Sequence, residues 1–194
     1  MKKKSTWIII AVIAVIVLWG IKVNNSMVTM EEGVNTAWSN VENVYQRRAD
    51  LIPNLVNTVK GYAQHETSTF EAVVNARAKA TSISVDPENM TAEQLKEFQK
   101  AQNEVGGALG RLIAISEAYP ELKANENFKE LQAQLEGTEN RIAVERKSFN
   151  EEAQKFNTYI RKFPQSIIAG MRGFDKKPYF EADEGANKAP TVQF

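Results

Sequence analysis

RRADLIPN, residues 47–54, lies between two runs of helical apolar spacing, and whether the chain turns there or runs on decides the architecture. Before it, Val34, Ala37, Trp38, Val41, Val44 and Tyr45 recur every three or four residues, the spacing of one buried helix face. After it, Leu55, Val56, Val59, Tyr62, Ala63, Phe70, Val73 and Val74 do the same. Arg48 interrupts the apolar seam, and Asp50 ahead of Leu51, Ile52 and Pro53 has the form of a fresh N-cap with proline in the first turn, where its missing donor costs nothing. A continuous helix over 27–82 would be about 84 Å long, more than the helices downstream could cover. A reversal near Asp50 is therefore expected, although proline also merely kinks helices.

Downstream, Thr91 with Gln94 forms a capping-box signature, and Leu95, Phe98, Val105, Leu109 and Leu112 carry a third helix to Tyr119, where Pro120 follows. Asn127 with Glu130 opens a fourth, in which Phe128, Leu135, Ile142, Phe149, Phe156 and Phe163 recur every seventh residue until Pro164. Thr138, Glu145 and Glu152 at the companion positions are too polar for a dimer zipper, so the seam reads as an intramolecular core. Helices at about 27–49, 51–82, 92–119 and 127–163 make an all-α, antiparallel up-down-up-down four-helix bundle within 27–174. Residues 175–194, rich in charge, glycine and proline, read as a mobile tail.

Ahead of the bundle, WIIIAVIAVIVLWGI at 7–21 carries no charge. With Ser5, Thr6, Lys22 and Val23 it gives roughly the 20 residues that cross a bilayer, with Trp7 and Trp19 at headgroup level. No small-x-small cleavage site follows in GIKVNNSM, so residues 1–26 read as a retained anchor that spans the lipid bilayer over about 5–23. Lys2, Lys3 and Lys4 favour a cytoplasmic N-terminus, with the domain on the outer face of a bacterial inner membrane.

The 194 residues are 43% hydrophobic, enough for one domain with a real core. Charges balance at 24 basic and 24 acidic, but Lys2, Lys3, Lys4 and Lys22 belong to the anchor. The domain proper is mildly acidic, which argues against nucleic-acid binding. Without cysteine the chain has no disulfide, thiolate metal site or thiol nucleophile. His65 is the sole histidine; His65-Glu66 begins a zinc-protease motif, but Thr69 stands where the second histidine belongs. Gly106, Gly107 and Gly110 lack the lysine of a phosphate loop and follow a helix, which points to close helix packing. Carboxylate pairs such as Glu139 and Glu145 are not singled out from those of any charged helix surface. No enzyme activity, cofactor or metal is expected.

Four stretches resemble a known bacterial family: RRADLIPNLVNTVKGYAQHE at 47–66, VVNARAKA at 73–80, YPELKANENFKELQAQLEGTENRIA at 119–143, and the FN pairs at 149–150 and 156–157 followed by IRKFP. Together they identify the chain as similar to LemA family proteins over nearly its whole length. Phe149 and Phe156 stand where that family is expected to have tyrosines, and Glu145 where alanine is common. The resemblance implies an N-terminal membrane helix and a helical bundle, with no established molecular activity. It also implies a cytoplasmic domain, opposite to the lysine argument.

If the chain reverses at Asp50, Arg47, Arg48, Asp50, Leu51, Ile52, Pro53 and Asn54 share the membrane-distal end of the bundle with Tyr119 and Glu121. That mixture suits docking of a protein partner or, equally, a capped bundle end. At the opposite end Ile167, Ile168, Met171 and Phe174, with Arg172 and Lys176 nearby, form a candidate membrane-interface stretch. The leading expectation is a membrane-tethered adaptor or scaffold that binds another membrane or envelope protein. The alternatives are membrane organisation through a homo-oligomer and, last, an unrecognised hydrolase.

Overall fold

The computed structural model describes residues 2–182, with side chains from residue 7 onward. All regular structure among them is helical: α1 (Lys2–Lys60), α2 (Thr67–Ser82), α3 (Ala92–Ala114) with a 3-10 turn (Ile115–Glu117), α4 (Pro120–Ala124), α5 (Glu126–Arg161) and α6 (Gln165–Arg172). The path α1, α2, α3, α5 runs up, down, up and down. The apolar stretch that opens α1 exposes its side chains from Trp7 to Leu18, so it is not a core helix of the domain. It is long and apolar enough to cross a membrane.

The expected reversal at Asp50 does not occur. α1 is one uninterrupted helix of 59 residues that includes Pro53, and the chain turns only at 61–66. The apolar register explains this, because buried Tyr45, Ala49, Ile52, Val56, Val59 and Ala63 keep the three-four alternation through the proline. Pro53 lies on the exposed face, where its ring meets solvent. Its missing N–H leaves the carbonyl of Ala49 without a helical donor. Arg77 of α2 supplies one, its Nε donating to the Ala49 oxygen at 2.8 Å. Asp50 caps nothing; it accepts a bond from Gln46 one turn back, at 2.7 Å.

α3 opens with reciprocal Thr91–Gln94 hydrogen bonds. It gives way to the 3-10 turn after Ala114, five residues short of Tyr119. Asn125, not Asn127, caps α5, accepting from the Phe128 N–H at 2.9 Å. The seven-residue seam of α5 is buried from Phe128 through Phe156. Phe163, beyond the helix end, is 81% exposed.

Two core clusters stack along the bundle. Away from the anchor all four helices contribute, with Leu55, Val59, Val73, Leu109, Leu112 and Phe128 at the centre. Nearer the anchor Trp38 is ringed by Phe98, Phe149 and Phe180 at 5.2–6.0 Å between centroids. Here α2 does not reach and α3 contributes only its first turns, through Leu95 and Phe98, so the loop 83–91 and the segment after α6 close the rest of the core.

That segment corrects the expectation of a mobile tail from residue 175. Gly173 takes the left-handed conformation (φ 76°) that ends α6 and turns the chain. Residues 174–182 then run extended along α5, burying Lys177 and Phe180. Residues 183–194, the rest of the expected tail, lie outside the described residues.

Candidate functional site

The residues expected to share a distal tip are separated. Arg47, Arg48, Asp50, Leu51, Ile52, Pro53 and Asn54 lie within α1, one and a half turns or more before its end at Lys60. Ile52 is in the core, and Arg47, Asp50, Pro53 and Asn54 face outward along the flank. Tyr119 and Glu121 are at the distal end, where their neighbours are the 61–66 turn and α4. There Asn125 Nδ2 donates to the Tyr62 hydroxyl at 2.9 Å, and Lys123 pairs with Glu117 at 2.8 Å. Glu121 is exposed, and Tyr119 packs partly buried on the distal core.

Arg48 is 4% exposed and joins three helices. Its guanidinium donates to the main-chain and side-chain oxygens of Gln102 at 2.9 and 2.7 Å and pairs with Glu139 at 2.8 Å. It also lies over the Tyr45 ring at 5.0 Å. The planar fork of arginine suits this use, because one side chain serves several acceptors in a dry setting. Beside it a cavity of about 220 Å³ opens between α1, α2 and α3, lined by Glu42, Arg48, Arg77, Gln102 and Ser84 among others. Burial pushes the Glu42 carboxyl above its usual range, opposed by the neighbouring Trp38 indole, whose N–H closes no hydrogen bond. Both arginines direct a donor to a main-chain carbonyl, which is a structural use. Among the described residues no cluster of His, Asp and Glu suited to a metal is present.

The two FN pairs have a role that the sequence reading missed. Phe149 and Phe156 fill the core, and the asparagine after each clamps the returning segment. Asn157 donates to the Lys177 carbonyl at 2.8 Å and accepts its N–H at 2.9 Å. Asn150 does the same for Phe180, at 3.0 and 2.8 Å. Gln99 of α3 brackets Glu181, donating to its carbonyl at 2.9 Å and accepting at 3.4 Å. Three amide side chains thus satisfy peptide groups that no strand or helix would. Lys177 is 5% exposed, pairs with Glu31 of α1 at 2.9 Å and donates to the carbonyls of Pro87 and Glu88. The signal available in the sequence was the seven-residue repeat of an amide beside each core phenylalanine.

At the anchor end, α6 lies along the last turns of the apolar stretch. A Cβ on Gly20 would sit 3.8 Å from Ile168, and Arg172 Nε donates to Asn24 Oδ1 at 3.0 Å. Of the four expected interface residues, Ile167 and Met171 are exposed and Ile168 packs on α1. Phe174 turns inward, edge-on to Phe156 at 6.2 Å.

An apolar helix, long enough to cross a membrane, that continues without a break into an α-helical bundle marks a membrane-associated helical protein. The chain belongs to the LemA family, whose model matches residues 37–194. It is 31% identical over 185 residues to the magnetosome protein MamQ of Magnetospirillum gryphiswaldense, an alignment covering 87% of this chain and 68% of that protein. MamQ 1 of Paramagnetospirillum magneticum is 30% identical over the same shares. The protein LemA of Metamycoplasma hominis is 22% identical over 82% of this chain and 69% of its own length.

Proposed function

We propose that this protein is a membrane-tethered scaffold of the bacterial inner membrane that holds a rigid helical bundle upright and presents its distal end to a protein partner. The observation that carries this is the unbroken α1, which leaves no hinge between the apolar stretch and the bundle. From Lys22 to Lys60 it rises about 57 Å. The partner-facing residues shift accordingly: Tyr62 and His65 of the 61–66 turn join Tyr119 and Glu121, and 47–54 becomes the flank of the stalk. Lys2, Lys3 and Lys4 support a cytoplasmic N-terminus and an outward bundle. Protease added to cells with a permeabilised outer barrier should cleave the bundle in that orientation; protection beside an active control contradicts it.

A photo-crosslinker at His65, used in native membranes, should give a discrete adduct with a second protein, while one at Val144 on the bundle flank should not. Adducts of the chain with itself from both positions would instead favour organisation of the membrane by self-association. Similarity to proteins named for the magnetosome supports that second reading. The scaffold reading falls if neither position gives an adduct with another protein.

A further inference from the structure

We infer that the Phe163 to Arg172 segment is a second membrane contact, which seats the base of the bundle on anionic phospholipid. The inference rests on the anchor being embedded. Ile168 of α6 sits 3.8 Å from where a Cβ on Gly20 would lie, and α6 borders an open cleft with Val17 and Ile21, in the last turns of the apolar stretch. When those turns lie in the bilayer, α6 is held at headgroup depth by direct contact. Apolar side chains of this segment stay uncovered: Phe163, just ahead of α6, is 81%, Ile167 53% and Met171 78% exposed, with Met171 at the edge of a cleft shared with Val17 and Ile21. Such side chains are suited to the headgroup and acyl boundary and poorly suited to water.

The charge around this face selects the lipid. Lys22, Arg161, Lys162, Arg172 and Lys176 are all exposed at this end of the bundle, and Asp175 is the acid among them along 161–176. Cations grouped at the membrane surface attract anionic headgroups and add to the apolar contact. The exposed Phe163 thus acquires a partner. It continues the seven-residue seam past the point where the bundle ends, from protein core into lipid.

Because the chain has no cysteine, single labels test this in the full-length protein. Met171→Cys, Leu18→Cys and Val144→Cys, each carrying an environment-sensitive fluorophore, are reconstituted in vesicles of phosphatidylcholine with or without phosphatidylglycerol, with nitroxide-labelled lipid as quencher. The label at 171 should lose about half of its emission, as expected for a group roughly 5–10 Å into the boundary. Label 18 should be quenched as strongly and label 144 not at all. Quenching at 171 should be greater with phosphatidylglycerol, and Arg172→Glu with Lys176→Glu should remove that difference. If label 171 behaves like label 144 while label 18 is quenched, the proposal is overturned and the anchor stands. If label 18 is also unquenched, the anchor and the proposal fail together. Equal quenching at 171 in both lipids overturns the anionic preference.

Discussion

The distal and anchor-side halves of the bundle solve the same packing problem by different means. In the distal half four helices meet, their backbone groups are satisfied internally, and the core is aliphatic with one phenylalanine from each of α2 and α5. In the anchor-side half α1 and α5 run on without α2 and with only the first turns of α3, and the gap is closed by irregular backbone. Irregular backbone must be given hydrogen-bond partners, and Asn150, Asn157, Gln99 and Lys177 provide them. The core of this half is aromatic, with Trp38 against Phe98, Phe149 and Phe180. The distal half therefore depends on helix packing, and the anchor-side half on side chains that hold a strap in place.

The largest effect should come from the aromatic centre. Phe149→Ala should cost about 3–5 kcal/mol and should release residues 174–182, which lean on Phe180. Thermal unfolding in nanodiscs, with limited proteolysis of the strap, measures both. Arg48→Ala, at the junction of the halves, should cost about 2–3 kcal/mol, less than the loss of a fully buried pair, because the Glu139 side chain is 43% exposed. Glu139→Gln should cost under about 1 kcal/mol. Equal losses for the two would mean that the ion pair, rather than the bonds to Gln102, secures Arg48.

Asn157→Ala removes a two-bond clamp and should cost about 2 kcal/mol. Hydrogen exchange should show the loss in the strap while α2 and the distal turns of α3 keep their protection; uniform loss would contradict the division into halves. Arg77→Leu should cost about 1 kcal/mol in the native background and less in Pro53→Ala, where residue 53 regains an N–H for the Ala49 carbonyl. Additive losses in the double variant would show that Arg77 does not compensate for the proline.

The smallest effect concerns Glu42. Its folded carboxyl titrates above its ordinary value because of burial, so the folded state binds the proton more tightly than the unfolded chain. Stability then falls as pH rises through the folded value and is fully penalised above it. Glu42→Gln should slightly raise the melting temperature at neutral pH, with no gain below the ordinary carboxylate range.

The fold class and the long apolar helix were legible because both rest on extended patterns: a chargeless run at 7–21 and seams repeating every three, four or seven residues. The place of the turn was not. Asp50, Leu51, Ile52 and Pro53 have the local form of a helix start, and only the register of Tyr45, Ala49, Ile52 and Val56 across the proline argues otherwise. The deciding compensation comes from Arg77, 28 residues away. The strap was illegible for a related reason: its sequence is polar and poor in periodicity, and its order comes from asparagines on another element. Of the candidate sites, Ile167 and Met171 are exposed beside the apolar stretch, while 47–54 and Tyr119 were joined by a turn that does not exist.

The continuity of α1 through Pro53 carries both the fold and the scaffold reading, and a pair of spin labels measures it directly. Asn25→Cys and Lys60→Cys in the otherwise cysteine-free chain should lie about 50 Å apart if α1 is one helix. A reversal near Asp50 would bring them to about 25 Å. A distribution centred near the shorter distance would contradict the continuous helix and remove the basis for a rigid stalk.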